Sequence, residues 1–158
     1  MPLCFFLQAI HNFPKFLGSA EIDKGVGPFK EVKMTDSIDS KLAGAGKKAF
    51  TNKCSACHKI EERYVGPMLK GITKRRTPEW VMNMIINPSE MLEKNDAAKE
   101  LLAEYMTPMT FQNVSEDDVR AIYEYFRLSD SPEAAAEKTG GPAAPAAKGT
   151  VKKESKKK

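Results

Sequence analysis

Cys54-Ser55-Ala56-Cys57-His58 constrains this 158-residue chain more than any other stretch, because it gathers two of the three cysteines and one of the two histidines into five positions. The C-x-x-C-H spacing lets two thiols add across the vinyl groups of a haem while the adjacent His turns back to ligate the iron, the pattern of c-type haem attachment. Other chemistries compete for these residues. A thioredoxin-like dithiol needs a preceding strand and a βαβ context, whereas a Gly-containing amphipathic pattern precedes the motif. A structural zinc site needs four ligands, and beyond Cys54, Cys57 and His58 only Cys4 and His11 remain. Two inert buried cysteines would leave His58 unexplained. Three cysteines also exclude a disulfide-stapled scaffold.

The sequence around the motif reads as helices. Asp39 or Ser40 caps a helix running to about Lys53, in which Leu42, Gly46, Ala49 and Phe50 share one face. Glycine inside a helix costs about 1 kcal/mol relative to Ala, so Gly46 predicts a close approach by another backbone or a flat group. A second helix starts at Thr77-Pro78-Glu79 and passes through Trp80, Met84 and Ile85 until Asn87-Pro88 stops it. A third covers roughly Asp96 to Tyr105. The last opens on Ser115-x-x-Asp118, carries Val119, Ile122, Tyr123 and Phe126 at i, i+3, i+4 and i+7, and ends near Ser129. No alternating β-branched run and no internal repeat lies between them. The expected fold is all-α and small, and a covalent group at its centre would supply core that a domain of about 90 residues lacks.

Charge divides the chain into three parts. With 29% charged residues and a mean hydropathy of −0.46, an integral membrane protein is excluded. Residues 1–37 balance four Lys against four acids, and residues 38–130 balance 14 basic against 14 acidic side chains. The net +4 falls on residues 131–158, seven Lys against three Glu in an Ala/Pro/Gly/Lys-rich stretch expected to be disordered. That gives no reason to expect a nucleic-acid partner, although a Lys-rich end suits an acidic partner or an anionic surface. Residues 1–37 are expected to be a leader or N-terminal extension. Pro2 to Ile10 is apolar but far short of the roughly 20 residues that span a bilayer. Gly18-Ser19-Ala20 offers a small-residue cleavage region, without a preceding Lys or Arg. Gly25 to Pro28 reads as a loop leading into the domain.

A haem on Cys54, Cys57 and His58 needs a ligand for the other face of its iron, and the chain has eight Met. Met82 and Met84 lie inside a predicted helix, and Met68 follows His58 too soon to cross the ring easily. Met91 and Met106 lie near helix ends and stay open. Met109 is best placed, because Pro108 holds the preceding backbone extended and a loop separates it from the capping Ser115.

Cys54 to Gly71, CSACHKIEERYVGPMLKG, followed by TPMTFQNVSEDDVRAIYEYFR at 107–127, resembles the class I c-type cytochromes, above all the short bacterial monohaem type. The resemblance spans about residues 38–130. It implies that Gly46 and Phe50 pack against Ile122 and Tyr125 of the last helix. It implies that Gly66-Pro67 supplies a carbonyl that accepts the ring N–H of His58, the kind of outer contact that orients a metal-bound His. It implies His58 and Met109 as metal ligands, and Trp80, Arg75 and Arg76, with Asn83 nearby, as partners of the haem propionates, for which guanidinium and indole donors are suited. The departure is that Thr110 follows Met109 and Pro108 precedes it, where many relatives place Pro after the Met, so Met106 stays beside Met109 as a candidate.

The resemblance implies a one-electron carrier with one covalent haem c, not an enzyme. Met/His ligation raises the reduction potential and leaves no open position for O₂ or peroxide. The alternatives are a catalytic haem protein and a ligand-sensing one with an open sixth position; a single C-x-x-C-H and the folded residues after it argue against both. Covalent attachment of this type implies maturation outside the cytoplasm, hence a periplasmic or otherwise extracytoplasmic place in a respiratory chain. Redox partner proteins are implied, with a weaker likeness over 61–113 to cytochromes that serve bacterial terminal reductases.

Overall fold

The computed structural model describes residues 22–132 and 134, which include helices and no strand. Both the apolar run at 2–10 and the tail beyond 134 lie outside the described residues, as do Cys4 and His11. Six helices follow one another: α1 Ser40–Lys53, α2 Ile72–Arg75, α3 Pro78–Ile86, α4 Pro88–Lys94, α5 Asp96–Tyr105 and α6 Glu116–Asp130. No helix among the described residues is long and apolar enough to cross a membrane.

Local chemistry sets the helix ends. The Asp39 carboxylate accepts from the backbone N–H of Lys41 and Leu42 at the start of α1. Thr77 caps α3 ahead of Pro78. At α6, Ser115 accepts from the Asp118 N–H while Asp118 accepts from the Ser115 N–H, a complete capping box. Asn87-Pro88 stops α3 as expected, but the same Pro is the first residue of α4. Proline suits the first turn of a helix because it has no N–H to leave unpaired. The single turn of α2 also went unanticipated; Asp130 holds its N-terminal end by accepting from Gly71 N (2.5 Å) and from Thr73 N and Oγ1 (3.1 and 2.7 Å).

α1 and α6 pack face to face. A Cβ on Gly46 would lie 1.8 Å from the Ala121 carbonyl oxygen and 2.8 Å from Ile122 N, so two backbones meet where glycine was expected to admit one. Phe50 then reaches Tyr125 and Phe126, with ring centroids 5.6 and 5.8 Å apart, the second pair edge to face. Gly46 and Phe50 of the expected face are buried and Ala49 packs against the core, but Leu42 is exposed and Ala43 takes the buried place beside it.

Residues 22–38 form a strap over α3 and α6, so the folded body starts well before the expected boundary at 38. Phe29 is in the hydrophobic core. The fully buried Asn83 accepts from Phe29 N (2.9 Å) and donates to the carbonyls of Phe29 (2.8 Å) and Lys24 (3.0 Å). Farther along, Val32 N donates to Glu79, and Arg127 donates to the Thr35 carbonyl while pairing with the buried Glu124, which accepts from Asp39 N. Val26 and Val32 pack against the core beside Phe29, so both apolar contacts and these polar side chains hold the strap.

Candidate haem site

The helices leave one large, mostly apolar cavity of about 750 Å³, lined by residues from the end of α1, the 54–69 segment, α3, α5, the loop after α5 and α6. Cys54, Cys57 and His58 line it where α1 ends, and Cys57 N and His58 N close a turn on the Cys54 carbonyl (3.1 and 2.9 Å). Both thiols are free. Burial pushes the Cys54 thiol above its ordinary value, with Lys53 opposing. Burial likewise holds His58 below the usual imidazole range, against the opposing hydrogen bond to the Pro67 carbonyl, so at neutral pH the ring is uncharged and able to ligate. His58 Nδ1 lies 3.4 Å from that carbonyl; with the proton on Nδ1, the lone pair sits on Nε2. A Cβ on Gly66 would lie 2.5 Å from His58 Cε1, so the Gly-Pro backbone packs directly against the ring edge.

Met109 lines the same cavity from the loop between α5 and α6, together with Thr107, Pro108 and Thr110. Met106 does not: it ends α5 in a left-handed conformation (φ 53°) with its side chain 82% exposed. Met91 is fully buried and its sulfur accepts from Val26 N at 2.9 Å, which makes it part of the strap packing. Met68 and Met84 line the cavity too, Met68 half exposed and Met84 on α3.

Trp80, Arg75 and Arg76 all line the cavity, but their polar atoms are engaged elsewhere than the resemblance implies. The Trp80 indole N–H donates to Asn95 Oδ1 at 3.1 Å, and Arg76 stacks over the indole at 4.8 Å. Arg75 donates to the carbonyls of Lys70 (2.5 Å) and Met68 (3.0 Å). Asn83 faces the strap and does not line the cavity. Sequence reasoning missed Asn95: its side chain also caps α5 at Ala98 N and donates to Asp23. An Asn ahead of Asp96-Ala97-Ala98 signals the cap, whereas nothing in the sequence signals the link to Trp80. Lys53 and Tyr105 were missed as lining residues as well.

The residues fit a haem. An apolar cavity of ligand size meets two free thiols, a neutral imidazole and a thioether. Lys53, Arg75 and Arg76 line it, and no carboxylate among the described residues does, which suits a group bearing two carboxylates. Among the described residues no cluster of three His, Cys, Asp or Glu could hold a metal ion, so a zinc site receives no support there.

Comparison with known proteins agrees with this geometry. The family described as Cytochrome c matches residues 43–129. No curated protein matches the chain. Among solved structures, a cytochrome c from Rhodothermus marinus is 42% identical, with a TM-score of 0.65, covering 66% of this chain and 90% of its own. An engineered form of the R. marinus protein bound to a carbene intermediate is 40% identical, with a TM-score of 0.62 and the same coverage of 66% and 90%. A cytochrome c domain of a Pseudomonas putida protein is 26% identical, with a TM-score of 0.53, over 61% of this chain and 99% of that domain. The chain belongs to the cytochrome c family, all-α proteins built around a covalently bound haem c that carries electrons.

Proposed function

We propose that this protein is a one-electron carrier in which Cys54 and Cys57 attach the haem and His58 and Met109 are its axial ligands. The observation that carries the reading is that these four side chains, from two separate segments, line one apolar cavity. The bound haem supplies reversible one-electron exchange between ferric and ferrous iron. The chain's own part is to hold two ligands, exclude water and set the local charge. His58 is oriented by Pro67, and burial keeps its imidazole neutral. With Met109 as a second ligand beside His58, a bound haem would have no position open to substrate, which is why we read the protein as a carrier and not an enzyme. Arg75 and Arg76 set positive charge along the cavity, though the carbonyl bonds of Arg75 and the stacking of Arg76 on Trp80 would have to be shared with a propionate.

The unit is residues 38–130 together with the strap, working outside the cytoplasm and passing electrons to or from a redox partner such as a terminal reductase of a respiratory chain. Residues 131–158 add seven Lys against three Glu and are read as a tether to an acidic partner or anionic surface, which docks less well as salt rises. Met109→Ala and Met106→Ala test the ligand. The far-red absorption band of a methionine-ligated ferric haem disappears in Met109→Ala and persists in Met106→Ala; the opposite result transfers the role to Met106.

A further inference from the structure

The loop that carries Met109 is held at its ends. Residues 107–112 hydrogen-bond locally, with Gln112 Nε2 donating to the Thr110 carbonyl (3.1 Å) and Oγ1 (2.9 Å). Left-handed residues mark both limits, Met106 (φ 53°) and Asn113 (φ 52°). At the first limit Met106 N donates to Leu102 O, closing α5. At the second, Lys53 Nζ donates to the Asn113 carbonyl at 2.6 Å and pairs with Asp118 at 3.3 Å. Asp118 is itself fixed by the capping box with Ser115. Lys53 lines the cavity and directly precedes Cys54. One ammonium group therefore joins the residue before the first thiol, the far limit of the Met109 loop and the first turn of α6.

We propose that Lys53 is a positioning residue which, through the Asn113 carbonyl and Asp118, keeps the Met109 loop closed on the cavity and so sets how often Met109 leaves the iron. The inference rests on the proposed His58/Met109 ligation. A carbonyl in left-handed backbone has no helix or sheet partner, and a charged donor is the strongest hydrogen bond available to it. Because the loop has no other bond to α1, loss of Lys53 should raise the open population while leaving the α1/α6 core intact. Local openings of this kind have their own free energy, separate from global unfolding.

The test uses the full ferric holoprotein at neutral pH titrated with imidazole, which ligates only when Met109 is away, so its apparent affinity scales with the open fraction. Lys53→Met should bind imidazole about tenfold more tightly than the wild type, the loss of a partly exposed charge-assisted bond. Lys53→Arg, which keeps charge and donors, should stay within about threefold of the wild type. Lys48→Met, which removes an exposed cation from α1 without touching the loop, should match the wild type. The denaturant midpoint of Lys53→Met should fall below that of Lys48→Met by no more than the same tenfold factor accounts for, so that a larger drop would mark general loosening and not loop opening. Imidazole affinity unchanged in Lys53→Met overturns the proposal. If Lys53→Met does not mature, Lys53→Gln takes its place, and a several-fold gain supports while no gain overturns. A wild-type protein that lacks the methionine band and binds imidazole as tightly as Met109→Ala would instead sink the ligation reading itself.

Discussion

Gly46 and Gly44 lie two residues apart on α1, and the same substitution should move stability in opposite directions at the two sites. A Cβ at 44 meets nothing within 4 Å, so Gly44→Ala should gain the helix-propensity difference of about 1 kcal/mol. A Cβ at 46 would lie 1.8 Å from the Ala121 oxygen and 2.3 Å from its carbonyl carbon, both backbone atoms that cannot rotate away. Relief requires α1 and α6 to part by roughly 1.5 Å, the overpacking that costs about 1–3 kcal/mol in a close-packed core. Parting also loosens the Phe50 contacts with Tyr125 and Phe126, each pair contributing about 0.5–1.5 kcal/mol. Set against the same propensity gain, the net loss is about 1–5 kcal/mol. Guanidinium unfolding of the holoproteins, followed by far-UV circular dichroism at equal haem content, should show Gly46→Ala with a midpoint roughly 1 M lower and Gly44→Ala slightly above the wild type. A Gly46→Ala protein as stable as Gly44→Ala would refute the backbone contact and the helix pairing built on it.

Burial pushes the Tyr123 hydroxyl up to about 12 from an ordinary 10.0. The unfolded chain therefore loses this proton first, and stability should fall between about pH 10 and 12, by roughly 2–3 kcal/mol in full. Tyr123→Phe should remove that alkaline loss, read from denaturation midpoints across the range; an identical slope in both proteins would show that Tyr123 is not its source. For the strap, Asn83→Ala strands the N–H and C=O of Phe29 and should cost about 2–4 kcal/mol while making residues 22–38 more quickly cleaved by protease than in the wild type. Cleavage no faster than in the wild type would deny Asn83 this role.

Features with a local cause were legible in the sequence. Caps at Asp39, Thr77 and Ser115 act over three residues, so the starts of α1, α3 and α6 follow from residue type alone. Gly46 signalled a close approach because a mid-helix glycine needs a reason, and the C-x-x-C-H run fixes its own chemistry by spacing. What was not legible depends on partners far away in the chain. The strap is held in part by Asn83 and Arg127, more than 50 residues from the backbone groups they bond, and nothing within residues 22–38 gives a sign of partners so distant. Pro88 carried two compatible meanings, and only packing selects both. Trp80 was read by its donor, but the N–H goes to Asn95, which also caps α5 and reaches Asp23. Leu42 is exposed and its neighbour Ala43 fully buried, an offset of one position that hydrophobic spacing alone does not resolve.

The proposed ligation takes both axial groups from this chain, His58 from one segment and Met109 from another. Mixing the dithionite-reduced holoprotein with carbon monoxide at neutral pH tests it most directly, since the gas needs an open coordination position. No binding is expected on the timescale of mixing, with binding gained in Met109→Ala. Rapid binding by the wild-type protein would contradict it and leave the sixth position open to catalysis or ligand sensing.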